Sequence, residues 1–353
     1  MKRLHELSFV NSFHALGDSF YSETRPQGLT NPVLVRSDTG VADLLGLDSG
    51  EFATDDFLQV FSGNRLLPGS RPLAQNYAGH QFGRFHPGLG DGRVMLLGDV
   101  ETPHGCLEIT LKGSGRTPYG RDLDGRAGLA GCLREMEISR QLADLDIPTT
   151  RSLCVICGNE QVYRQGFEAA AIVVRIAPSH IRFGTFENCY ARRRTEDLRR
   201  LADFVTSRYY PECLEAGNRR YIVFFQTVVQ RTARLIARWQ AAGFVHGMMN
   251  TDNQSILGIT LDLGAAAFNP ERDPDFVSSP DDEHGRYAFG QQPIIGLWNC
   301  NVLARALSPL IAADDLREAL QCYEKEFLEH HAMLTGTSRE APAAADPSRP
   351  KNG

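Results

Sequence analysis

The sequence predicts an α+β protein in which a β-rich lobe precedes an α-rich one, and three observations carry the prediction. The 353 residues exceed what a single core usually serves, since cores stop growing at roughly 250 to 300 residues. The first third is dense in Gly, Pro and short apolar runs. From about residue 195 onward, apolar residues recur at helical spacing over long stretches. The expected division is 1–190 for an N-terminal extension with the β-rich lobe, 191–335 for the α-rich lobe, and 336–353 for a disordered tail. That tail, GTSREAPAAADPSRPKNG, has no Leu, Ile, Val or Phe with which to bury surface.

The elements follow in order. Arg93 to Val100 and Cys106 to Lys112 read as strands joined by a turn around Thr102-Pro103-His104-Gly105. In the second, Leu107, Ile109 and Leu111 share one face, so Lys112 projects with Glu108 and Thr110 from the other. Gly128 to Leu145 carries Leu129, Cys132, Leu133, Met136 and Ala143 at helical spacing and is ended by Ile147-Pro148. Ser152 to Cys157 and Gln161 to Gln165 suggest a hairpin across Gly158-Asn159, and Ala170 to Ile176 is a further strand. Glu196 to Tyr209 and Arg219 to Ala242 are expected helices, the second leading through Phe244 to Gly247 into a polar loop. Ser255 to Asp262 reads as a short strand, and helices return from Trp298 to Leu307 and from Asp315 to about Met333.

Composition excludes some functions. With 37 Lys and Arg against 43 Asp and Glu, the net charge of -6 does not suit a protein that coats nucleic acid, which needs a basic face. No apolar run reaches the roughly 18 to 20 residues that span a bilayer, and MKRLHELSFVNSFHALG lacks a secretory pattern. Neither nucleic acid nor membrane is therefore an expected partner, and the expected location is the cytoplasm, where the eight scattered cysteines stay reduced. Cys154 and Cys157 lie three apart on a strand, face opposite sides, and cannot chelate one metal.

Three strings carry possible chemistry. In Pro87-Gly88-Leu89-Gly90-Asp91-Gly92-Arg93, glycines allow close backbone approach to phosphate and Arg93 adds forked donors, although taken alone the string reads first as an ordinary tight turn. It precedes a strand and lacks the G-x-G-x-x-G spacing, which excludes a dinucleotide-binding unit. Lys112 on a strand and Glu135 on the following helix can pair as a kinase lysine and glutamate do, or remain two solvated charges. Asp252, Asn253 and Asp262, in HGMMNTDN and LDLG after a long helix, are hard oxygen donors suited to Mg²⁺ and to holding a hydroxyl nucleophile, with an ordinary Asn/Asp-rich turn as the plainer alternative. Arg175 and Arg182 can clamp phosphate oxygens or, taken singly, form exposed structural ion pairs, whereas Arg192-Arg193-Arg194 with Arg199 and Arg200 reads as a solvated helix start.

Together the strings NYAGHQFGRFHPGLGDGR (76–93), LKGSGRTPYGR (111–121), DGRAGLAGCLRE (124–135), IPTTR (147–151), RIAPSHIRFGTFE (175–187) and HGMMNTDNQSILG (246–258) closely resemble the selenoprotein O family, known in bacteria as YdiU proteins. GRYAF (285–289) and QPIIGLWN (292–299) continue the resemblance to about residue 330. The resemblance implies a protein-kinase-like two-lobed fold and transfer of AMP from ATP to Ser, Thr or Tyr hydroxyls of protein partners, with UTP as a donor for some members. It implies an ATP site at Gly90, Gly92, Arg93, Lys112, Asp124, Gly125, Arg175, Arg182 and Asp262, with Glu135 supporting Lys112. It further implies Asp252 as proton acceptor and Asn253 with Asp262 as ligands for Mg²⁺ (or Mn²⁺). The nucleotide would lie inverted relative to a kinase, so that the α-phosphate meets the nucleophile.

Two departures accompany the resemblance. Family members carry an aromatic residue after the metal-binding aspartate, where this chain has Leu263 in Asp262-Leu263-Gly264-Ala265. They also continue past this point with more helix and a redox-active cysteine or selenocysteine, so the sequence predicts an absent redox switch and a shortened α-lobe. The alternative to a transferase is a shortened, non-catalytic nucleotide-binding pseudokinase that regulates; ordinary kinase activity ranks behind both.

Overall fold

The apolar runs of the first half are too continuous for a sheet with one wet face, and they build the centre of a sheet covered on both sides. The computed structural model describes residues 1–120, 124–164 and 166–336. Its strands are β1 (Tyr21–Glu23), β2 (Val33–Ser37), β3 (Leu73–Gln75), β4 (Gly79–Gln81), β5 (Arg84–His86), β6 (Val94–Thr102), β7 (Gly105–Lys112), β8 (Ala127–Gly128), β9 (Arg151–Tyr163), β10 (Phe167–Ala177), β11 (Phe244–Val245) and β12 (Ala267–Phe268). The helices are α1 (Thr39–Leu45), α2 (Asp55–Phe61), α3 (Leu129–Asp144), α4 (Phe183–Ala191), α5 (Thr195–Tyr209), α6 (Arg220–Ala242), α7 (Gln292–Leu307), α8 (Ala313–Leu320) and α9 (Cys322–Thr335).

Among the described residues the main sheet runs β1-β3-β6-β7-β10-β9-β2, with β8 also on β10, and every pair is antiparallel. On one face, Leu45 of α1 and Phe57 and Phe61 of α2 pack with Ile109, Leu111, Ile172 and Val174. On the other, Cys132 and Met136 of α3 pack against Val155, Ala171 and Val173. Alternation along β9 sends Cys154 to the first face and Cys157 to the second, and both thiols are free. A third and larger cluster is helical: Phe225, Val229, Ile236 and Trp239 of α6 meet Val205 of α5 and Leu303 of α7. Each large side chain fully buried there contributes about 1.5–3 kcal/mol. No helix of the described residues is long and apolar enough to cross a membrane.

The structure corrects four expectations about elements. Gly158-Asn159 makes no hairpin; β9 runs straight through it, and the chain reverses after Tyr163. The glycine instead admits a neighbouring segment, because a Cβ there would lie 2.8 Å from Leu29 Cβ, and the Asn159 N–H donates to Thr30 O at 2.9 Å. Residues 255–262 form no strand; isolated bridges join Ser255 to Arg182 and Thr260 to Thr149 and Gln254. The C-terminal helix begins at Gln292, ahead of Trp298, and the following stretch breaks into α8 and α9. The short helices α1, α2 and α4 were not anticipated by periodicity, being only two turns long. Gly336 caps α9, and the tail expected from there onward otherwise lies outside the described residues.

Candidate active site

Strand alternation places the basic groups. Val173 pairs with Lys112 and Arg175 with Thr110, so Lys112 and Arg175 are diagonal neighbours on the α3 side of the sheet. On α3, Cys132, Glu135, Met136 and Ser139 share the buried face at helical spacing. Glu135 is thereby pressed between the two cations: Lys112 Nζ donates to its Oε2 at 2.5 Å and Arg175 Nη1 to its Oε1 at 3.4 Å. Burial alone would raise the Glu135 carboxyl, but Lys112 and Arg175 outweigh it and hold the group below the ordinary carboxylate range. The paired arrangement, and not two solvated charges, is what the fold contains.

Asp262 closes this network. Arg175 Nη1 donates to its Oδ1 at 2.8 Å, Arg182 Nη1 to its Oδ2 at 2.5 Å, and Lys112 Nζ stands 4.0 Å away. Burial pushes this carboxyl up, yet Arg182, Arg175 and Lys112 together hold it well below its ordinary value. Its backbone is left-handed, φ 55 and ψ 67, a conformation Asp tolerates better than most residues. His246 braces the approach to it. Leu261 O can only accept, so His246 Nε2 carries the proton it donates at 2.7 Å, and Nδ1 accepts from the Met248 N–H at 3.3 Å. Burial lowers the His246 pKa, which keeps this brace neutral.

Two of the residues that hold Arg182, Tyr77 and Asp91, were not singled out from the sequence. Its guanidinium lies 4.7 Å over the Tyr77 ring and 3.7 Å from Asp91 Oδ1, and it donates to Asp252 O at 2.6 Å. Asp91 also accepts from the Gln75 N–H and the Tyr77 hydroxyl, both at 3.1 Å. The only sequence signal for Asp91 was its place between Gly90 and Gly92.

Asp252 sits on a turn, Thr251–Asn253, clasped by the β4–β5 hairpin. The His80 N–H donates to Thr251 Oγ1 at 2.7 Å, the Phe82 N–H to Asn250 Oδ1 at 3.2 Å, and Gln81 Nε2 to Asp252 Oδ2 at 2.9 Å. The other carboxylate oxygen, Oδ1, is buried without a protein partner. Burial raises the Asp252 carboxyl to about 6, with the Gln81 hydrogen bond and the Arg182 charge only partly opposing it. Gln81 was absent from the sequence reading, and its signal lay only in the string NYAGHQFGR.

Arg93, Lys112, Arg182, Asp252, Asn253 and Asp262 line one cleft of about 1180 Å³, whereas Arg175, expected at the nucleotide, is buried outside that lining and reaches it only through Asp262. Gly92 lines it, whereas Gly90 turns the chain (φ 90) under Tyr119, where a Cβ would lie 2.5 Å from Tyr119 Cγ. Asp124 and Gly125 lie outside the cleft lining. Asp124 Oδ1 accepts from Arg164 Nη2 at 3.0 Å, and it is Arg164 that reaches the cleft; Gly125 lets its segment cross Gly115. Arg134, exposed on α3 beside Glu135, lines the cleft too and was also missed.

The donor set fits a hard divalent cation. Asn253 donates its amide to Met248 O at 3.0 Å, which leaves Oδ1 available, and Asp252 Oδ1 has no partner. Asp262 accepts one arginine on each oxygen and retains lone pairs. Among the described residues no group of three His, Cys, Asp or Glu forms a self-sufficient metal cage. An ion held here would need further ligands from phosphate oxygens and water, as Mg²⁺ commonly does.

Comparison with known proteins agrees with this chemistry. The sequence model of one family, described as protein adenylyltransferase SelO, matches residues 3–337. The chain is 46% identical over 335 residues to the protein nucleotidyltransferase YdiU of Pseudomonas fluorescens (strain Pf0-1), covering 95% of this chain and 69% of that one. It is 47% identical over 328 residues to the protein of that name from Thiobacillus denitrificans (93% and 67%), and 48% over 330 residues to that of Shewanella loihica (93% and 67%). It thus spans about two thirds of the length of these relatives.

Proposed function

Because the chain belongs to the SelO family of protein adenylyltransferases and so is a nucleotidyltransferase, we propose that its cleft transfers AMP from ATP to Ser, Thr or Tyr hydroxyls of protein substrates. UMP transfer from UTP is a variant of the same step. The observation that carries the reading is the pairing, in one cleft, of a cation-clamped carboxylate, Asp262, with a carboxylate of raised pKa whose buried oxygen lacks a partner, Asp252. The sheet with α3 and the helical cluster are read as the two lobes of a kinase-like fold, meeting at this cleft near the 190/191 division. Eight free thiols support a reducing, cytoplasmic setting.

In the proposed reaction the acceptor hydroxyl gives its proton to Asp252 as its oxygen forms a bond to the α-phosphorus. The bond from that phosphorus to the bridging oxygen breaks, and pyrophosphate leaves with the electron pair. Asp252 needs to be ionised for this, and a pKa near 6 leaves it so at pH 7 while still basic enough to accept. Arg93, Arg134 and Arg164 at the cleft wall, with Lys112 deeper, supply positive charge for the departing phosphates. Asn253 and Asp262 would hold the Mg²⁺ (or Mn²⁺), which would supply Lewis-acid neutralisation of phosphate charge. Gly92 and Arg93 contribute backbone approach and forked donors at the cleft rim. Gly90 and Gly125 shape the loops, and Asp124 acts through Arg164.

The test is incubation with ATP labelled at the α- or the γ-phosphate, in the wild type and in Asp262→Ala. Protein labelling from the α position alone, lost in the variant, is the expected result. Labelling from γ alone would make the protein a kinase, and nucleotide binding without any labelling would leave a non-catalytic regulator.

A further inference from the structure

A second groove, of about 890 Å³, opens beside the cleft, and Gln81 and Asp281 line both. It is built by the β4–β5 hairpin on one side and by residues 281–286 with the start of α7 on the other. Register decides which hairpin residues it receives: Gln81 pairs with Arg84 and Gly79 with His86, so these four share one face, while His80 and Phe85 turn to the opposite one. The face that carries Gln81 to Asp252 therefore continues through Arg84 and His86 into the groove.

Part of the groove wall is apolar and open to solvent. Ile294 is 65% exposed and Phe82 38%, and Trp298 also lines the groove, with the His80 ring 5.4 Å from its own and Arg286 4.8 Å over it. Phe82 and Gly83 are the two central residues of the hairpin, and both have positive φ (50 and 80). Such a turn normally takes Asn-Gly or Asp-Gly, and a bulky aromatic in this backbone is strained. The strain is sustained because the Phe82 N–H is captured by Asn250 Oδ1 and by the Tyr287 hydroxyl at 2.9 Å. The Asn250 that holds it immediately precedes the Thr251–Asn253 turn. Phe82 is thus presented at the surface by the same contacts that hold the Asp252 turn.

We propose that this groove holds the acceptor polypeptide: an extended segment lies along the Gln81–Arg84–His86 face, delivers its hydroxyl past Gln81 to Asp252, and sets a nearby apolar side chain against Phe82, Ile294 and Trp298. This rests on the adenylyl-transfer reading above. Continuity at Gln81 and Asp281 names the occupant, because a segment seated in the groove runs directly to the base. The exposed Asp281 and Glu283 on one wall and Arg84 on the other add polar selection beside the apolar one.

The experiment reads binding separately from chemistry. The full chain carries a benzophenone side chain in place of Ile294 or, as a control, of Leu145, which is 51% exposed. Each protein is irradiated with a degenerate peptide library of fixed central Ser, Thr or Tyr. Adducts are expected at 294 at least tenfold over 145, enriched in peptides with an apolar residue at one flanking position. The same library is then labelled with α-phosphate-labelled ATP, and Ile294→Asp is expected to erase the apolar preference and raise the peptide KM about tenfold with ATP affinity unchanged. Equal adducts at 294 and 145, or a flanking preference that Ile294→Asp leaves intact, overturns the proposal. Selective adducts without any transfer by the wild type would retain the groove and overturn the transferase reading instead.

Discussion

The two halves of the cleft treat a buried carboxylate in opposite ways. On the sheet side, Asp262 receives Arg175, Arg182 and Lys112 and is held ionised far below its ordinary pKa. On the hairpin side, Asp252 receives one neutral amide, keeps one oxygen unpartnered and is raised to about 6. Burial is comparable in direction for both, so the difference lies in which charges the flanking elements deliver. In the proposed reaction, the carboxylate that would stay charged to position cations and metal is thereby separated from the one that would exchange a proton near neutrality.

The largest expected effect comes from Asp262→Ala. AMP transfer should fall at least about a thousandfold, since the group that organises three cations is lost. Folding stability should drop by about 3–5 kcal/mol, because Arg175 and Arg182 are left uncompensated, as urea denaturation would read. Asp252→Asn should also abolish most transfer, by about 10² to 10⁴, yet its stability effect has the other sign. A carboxyl whose folded pKa lies above its unfolded value stabilises the fold while protonated. That contribution is complete below pH about 4 and is lost as pH rises through about 6. At pH 7.5 the variant should therefore be as stable as the wild type or more so, by up to about 3 kcal/mol. Equal destabilisation by the two substitutions would break the comparison.

Gln81→Leu sharpens it. The wild-type rate should rise with pH through an apparent pKa near 6, and loss of the amide donor should move that limb upward by about one unit or less. A pH–rate profile in which kcat recovers at pH 8.5 supports this role, whereas a uniform loss at every pH would assign Gln81 to folding alone. Asp124→Asn should have the smallest effect. The partner it frees, Arg164, is in an exposed pair worth no more than about 1 kcal/mol. Titration of ATP should show at most about fivefold weaker binding with kcat unchanged.

Much of the sheet-side half was legible beforehand. Period-two alternation put Lys112 opposite the Leu107, Ile109 and Leu111 face, and helical spacing put Glu135 on a helix that follows it. The hairpin-side half was not. Gln81, Asp91 and Tyr77 acquire their roles from residues up to 171 positions away, and no local pattern reports such a contact. Gly158 misled because a glycine that admits a neighbouring backbone looks in sequence like a glycine that turns.

By itself the sequence determined the mixed α and β class, the strand lysine with its helical glutamate, and the family strings that identify the chemistry. Those features are local, since periodicity and residue type are properties of short segments. Only the tertiary structure decided that Arg175 and Arg182 converge on Asp262, that Gln81 reaches Asp252, and that the two aspartates are driven to opposite protonation behaviour. Burial and the distance between charges set a pKa, and both exist only once the chain has folded.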